Sequence, residues 1–100
     1  MSLMSGRRQE RHSIKGDVCL RQRGLNKLPA TVYDLSLGGC RIQLTKTVQV
    51  GDVLWVSLPG LESNQATVRW TDGWTAGVEF EKTLHPSVLE MVEKRIRDQK

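Results

Sequence analysis

One hundred residues with 38% apolar side chains suit a single domain with one modest core. No stretch approaches the ~18 apolar residues of a membrane span. The start "MSLMSGRRQER" has no apolar run of the secretory type, which points to the cytoplasm. The net charge of +4 is concentrated: residues 1–27 hold seven Lys/Arg against Glu10 and Asp17, while the remainder holds eight against nine acidic residues. Positive charge focused in one quarter of a chain implies an anionic partner.

Residues 1–16 read as a flexible basic arm. Arg7, Arg8 and Arg11 crowd together, and the arm has little apolar surface to bury. From Asp17 to Phe80 the pattern is short and two-periodic. "DVCLRQ" and "TVYDL" read as strands. "CRIQL" places Cys40, Ile42 and Leu44 on one face, with Arg41 and Gln43 on the other. "VLWVSL" is apolar nearly throughout, as in a strand covered on both faces. "ATVRW" alternates Ala66, Val68 and Trp70 against Thr67 and Arg69, which assigns Trp70 to packing, as the alternation around Trp55 does for that residue. "AGVEF" sets Ala76, Val78 and Phe80 inward. Turn signals fall between these stretches at "LGG", "VGD", "PG" and "DG". Five or six short strands with no helix between them predict a small antiparallel barrel or a sandwich over residues 17–80.

After Phe80 the period becomes helical. Val88, Leu89, Val92 and Ile96 form a stripe, Pro86 suits the first turn, and His85 takes the capping position of a helix over residues 84–98. The chain is therefore one domain over residues 1–100, in the all-β class with one C-terminal helix.

A catalytic set is hard to assemble. His12 and His85 are the only histidines, and no G-x-S-x-G, H-E-x-x-H or nucleotide-binding glycine loop is present. Cys19 and Cys40 lack metal or redox spacing, so both read as small buried hydrophobes and no metal is expected. These features favour a binding module over an enzyme, without a cofactor.

"YDLSLGG" ends a strand in a carboxylate and then a hydroxyl. On an extended backbone Asp34 and Ser36 project to one face, and Gly38 and Gly39 read as turn glycines with positive φ. A carboxylate beside a hydroxyl suits the N1–H and N2–H₂ edge of guanine. Arginines fork onto phosphate or onto the O6/N7 edge of guanine, and also stack on bases. Together the two stretches describe a site for a guanine nucleotide carrying at least two negative charges.

Arg7-x-x-x-Arg11 followed by Asp34-x-Ser36-x-x-Gly39 resembles the paired R-x-x-x-R and [D/N]-x-S-x-x-G motifs of PilZ domains, bacterial receptors for cyclic di-GMP. "AGVEF" resembles the last-strand signature of that family, and the likeness runs from about Gly6 to the final helix. The resemblance implies a six-stranded antiparallel barrel closed by a helix. It implies that Arg7 and Arg11 hold phosphate and guanine edges, that Asp34 and Ser36 contact guanine, and that Gly39 keeps the turn open beneath it. Arg8 either adds a contact or is solvated. Trp74 stands where members often set a side chain beside the ligand. It either stacks on a base, for roughly 1–3 kcal/mol, or packs on its own hairpin. Gly6, just before the first motif, is where the family resemblance ties ligand stoichiometry of one or two.

With no effector domain attached, the resemblance also implies an unidentified downstream effector protein. The alternatives are a PilZ adaptor that binds protein instead of nucleotide, and a small barrel that binds RNA or DNA. Five aromatics, most of them at core-like positions, make nucleic acid the weaker partner.

Overall fold

The computed structural model describes residues 12–22 and 27–99. Arg7, Arg8 and Arg11 therefore lie outside the described residues. Six strands and one helix are present: β1 (His12–Gln22), β2 (Leu28–Leu35), β3 (Gly39–Gln43), β4 (Val53–Ser57), β5 (Asn64–Asp72), β6 (Thr75–Phe80) and α1 (Pro86–Arg97). Every strand pair is antiparallel, and the order β1-β2-β3-β6-β5-β4 closes on itself where β4 pairs with β1. The expected fold class, a six-stranded barrel with one C-terminal helix, is the one observed. Closure leaves none of these strands with an open edge, which matters in a domain of this size.

The alternation in the sequence fills the barrel. Val18, Leu20, Val32, Leu35, Ile42, Leu54, Val56, Ala66, Val68, Ala76, Val78 and Phe80 are buried together. Leu89, Val92 and Ile96 of α1 join the same core. The helix starts as anticipated. Pro86 occupies its first turn, and the His85 ring accepts a hydrogen bond from the Ser87 amide at 3.1 Å, satisfying one of the open donors of the first turn. Lys94, Arg95 and Arg97 sit in the last turn, where cations favour the macrodipole. Gly51, Gly60 and Gly73 take positive φ in three of the four turns marked in the sequence.

Several expectations are corrected. β1 begins at His12 rather than near Asp17, because the stretch after Arg11 pairs with the end of β2. Cys19 is exposed: its neighbours Val18 and Leu20 are the inward residues of β1, so it must face out. Only Cys40 is buried. β4 is not covered on both faces. Leu54 and Val56 point inward, while Val53, Trp55 and Ser57 are half-buried, so Trp55 lies on the outer side. Gly38 and Gly39 do not adopt positive φ.

The barrel is bent at three places where the pairing register slips. The irregularities lie between Ser13 and Gly16, between Val32 and Asp34, and between Val68 and Trp70. A bulge inserts one residue on one strand and so reverses the face on which the next side chain emerges. All three slips adjoin one row of paired residues that crosses five strands, and they set the geometry of the surface described next.

Candidate functional site

The bulge in β2 falls at Tyr33. Val32 is inward opposite Ile42, whereas Asp34 is opposite Arg41 on the outer side. The register then carries one row across five strands. Ser13 of β1 is opposite Asp34 of β2, Asp34 is opposite Arg41 of β3, Arg41 is opposite Gly77 of β6, and Gly77 is opposite Trp70 of β5.

Asp34 is nearly buried in this row, and its Oδ2 lies 3.0 Å from Arg41 Nε. Beside them the Tyr33 ring carries two cations. The Lys15 ammonium is 5.8 Å from its centroid, and the Arg41 guanidinium carbon is 5.6 Å away. The Tyr33 hydroxyl donates to Gln43 Oε1, which pins the ring on the wall.

Ser36 is turned inward on its own loop. Its amide and its hydroxyl both donate to the Gly39 carbonyl, at 2.9 and 3.2 Å. Its hydroxyl thus braces the short link from β2 to β3. Gly39 has a different reason to be glycine from the one anticipated. A Cβ there would overlap the Val78 carbonyl of β6, so the residue permits close strand approach.

The structure brings Asp34, Ser36 and Gly39 together but places Trp74 elsewhere. Gly39 is opposite Glu79 at one end of β6, while the Trp74 carbonyl accepts from the Leu44 amide beyond the other end. Five residues of extended chain separate Gly39 from Leu44, roughly 16 Å. Trp74 is 53% exposed on the β5–β6 turn. The tryptophan in the row is Trp70, which is 37% exposed and whose indole fills the space above Gly77. Sequence reading missed it because simple alternation assigns Trp70 to the core, and the bulge between Val68 and Trp70 reverses that. Arg41 was readable: in "CRIQL" it lies on the outward face, in the strand that follows Asp34.

Behind the row, Cys40 faces the core, where burial, and secondarily the charge of Asp34, push its thiol up to about 12. The thiolate is the reactive form, so Cys40 is inert in the folded protein. Alkylation under native conditions at mildly alkaline pH is therefore expected to label Cys19 and to spare Cys40 until the protein unfolds. Peptide mapping by mass spectrometry checks this, and labelling of Cys40 at a rate like that of Cys19 would contradict the burial.

Among the described residues, no group of three or more His, Cys, Asp or Glu side chains could hold a metal ion. No helix among them is long and apolar enough to cross a membrane.

The outer wall of this six-stranded barrel thus presents a carboxylate, two cations and an aromatic ring side by side. The family model of the PilZ domain matches residues 5–97, nearly the whole chain, and the chain belongs to the PilZ domain family. PilZ domains are binding and adaptor domains that generally take cyclic di-GMP. A comparison with curated proteins found no match.

Proposed function

We propose that this domain binds cyclic di-GMP through Arg7-x-x-x-Arg11 and Asp34-x-Ser36-x-x-Gly39, without catalysis. The observation that supports this reading best is the register of β1 on β2. His12, the residue that follows Arg11, is opposite Leu35, and Ser13 is opposite Asp34. The chain therefore leaves the first motif beside the carboxylate of the second. Arg7 and Arg11 would fork onto phosphate and the O6/N7 edge of guanine. Asp34 would accept from N1–H and N2–H₂, while Ser36 and Gly39 hold the loop in shape. Trp70 is better placed than Trp74 to offer a stacking surface.

Titration calorimetry tests the reading. Cyclic di-GMP is expected to bind with micromolar or tighter affinity, about −8 kcal/mol or better. Cyclic di-AMP should bind far more weakly, since adenine has no N1–H for Asp34 and presents N6–H₂ where an arginine needs an acceptor. Equal affinity for the two dinucleotides would exclude the guanine-edge assignment. The output in this reading is a change of surface: bound ligand orders residues before β1 against the barrel, and an effector protein recognises the result. Amide exchange over residues 5–13 should slow on binding, and unchanged protection would remove that relay.

A further inference from the structure

Lys15 and Arg41 are not part of either motif, yet both come from strands that carry or adjoin one. They converge on a single ring, so their charges are no farther apart than the sum of the two distances given above. Lys15 is exposed and makes no ion pair among the described residues. Arg41 is paired with Asp34 through Nε alone. Its Nε is buried at ion-pair distance from Oδ2 but has no hydrogen-bond partner, while the side chain as a whole is 42% exposed. The exposure therefore resides in the rest of the side chain rather than at Nε. Two cations against one carboxylate leave the patch with a net positive charge, although like charges so close repel each other.

The Tyr33 ring holds this arrangement in place. Its face attracts both cations, and its hydroxyl is anchored on Gln43 of the neighbouring strand. The bulges raise the same side chains: the slip between Ser13 and Gly16 spans Lys15, and the slip between Val32 and Asp34 spans Tyr33. The cations are thus mounted on rigid wall, a step along the sheet from Asp34.

We infer that Lys15 and Arg41, held by Tyr33, form an anion site on the barrel wall that takes a phosphate of the cyclic dinucleotide. The inference rests on the ligand proposed above. In it, the wall supplies phosphate contacts in addition to those proposed for Arg7 and Arg11. Arg41 has a second task, since its Nε positions the Asp34 carboxylate for the base.

The test is calorimetry with cyclic di-GMP on the full chain at low and high salt, comparing wild type with Lys15→Gln, Lys15→Arg and Arg41→Gln. Lys15→Gln should weaken binding about fivefold, the scale of one exposed charge contact. Lys15→Arg should bind like wild type, because it keeps the charge. Arg41→Gln should lose about tenfold or more, because it removes an anion contact and a brace on Asp34. Salt should weaken wild type more than Lys15→Gln, since one screened contact is already gone. If Lys15→Gln and Arg41→Gln both bind within a factor of two of wild type while Arg11→Ala fails, the wall site is refuted and the two-motif reading stands. If wild type does not bind cyclic di-GMP, both fall together. Should Arg41→Gln fail to fold, the Lys15 pair decides alone, because its exposed side chain contributes nothing to the core.

Discussion

Gly39→Ala is expected to lower the melting temperature by about 15 °C, the effect of roughly 3 kcal/mol in a domain of this length. The added Cβ would overlap the Val78 carbonyl, an atom of backbone and not the flexible end of a side chain. Relief requires β3 and β6 to separate, in a wall that has no edge at which to yield. The same separation disturbs the link that Ser36 braces, since the Gly39 carbonyl is the acceptor for both of its hydrogen bonds. Gly51→Ala is the control. Gly51 has a positive φ of 97°, but a Cβ there meets nothing within 4 Å. Its cost should be the conformational one alone, about 1 kcal/mol. Differential scanning calorimetry of the pair separates crowding from backbone strain. Equal melting temperatures for the two variants would show that β3 and β6 are not as closely apposed as described.

Arg7→Ala and Arg11→Ala are each expected to weaken cyclic di-GMP binding ten- to a hundredfold. A hydrogen bond to a charged group is worth roughly 1.5–3 kcal/mol, and each arginine removes at least one such contact in the proposed site. Residues 5–11 contain no apolar side chain, so the ligand-free melting temperature should hardly move. Asp34→Ala should weaken binding as well, but with some loss of stability, because it leaves Arg41 Nε buried without its counter-charge. The contrast between loss of binding alone and loss of both is read by calorimetry beside a melting curve. Wild-type affinity in both arginine variants would reduce the opening cluster to a solvated tail.

Much of the barrel was legible because closed antiparallel sheets have one inner face, and strict alternation marks it. "CRIQL" and "AGVEF" obey that alternation, and their inward residues are buried as expected. The helix was legible through its period and its Pro86 start. The bulges were not. One extra residue in a strand leaves no trace in composition, yet it decides whether Trp70 faces the core or the row beside Arg41. The same limit hid Tyr33 as the support for two cations. Glu93 was missed for another reason. It lies four residues after Leu89 and three before Ile96, at the flank of the buried stripe, and its burial is explained by His12, which reaches it from a strand that the sequence placed five residues later. Cys19 was a misreading of legible data, since "DVCLRQ" already alternates.

The seam between β1 and α1 bears on how the molecule is made. His12 meets Glu93, Gly16 leaves room for Ile96, and Asp17 exchanges two hydrogen bonds with the Gln99 side chain. These contacts join residues some eighty positions apart, and β1 also waits for β4 to close the wall. Contacts of such long range form late, after the loop entropy of the intervening chain has been overcome. A nascent chain emerging from the ribosome therefore displays its basic cluster well before the strand behind it can be seated. Until α1 has packed on β1, those arginines precede a barrel that is not yet closed. Competence for the proposed nucleotide should accordingly arise in one step, when α1 docks on β1 and the wall closes.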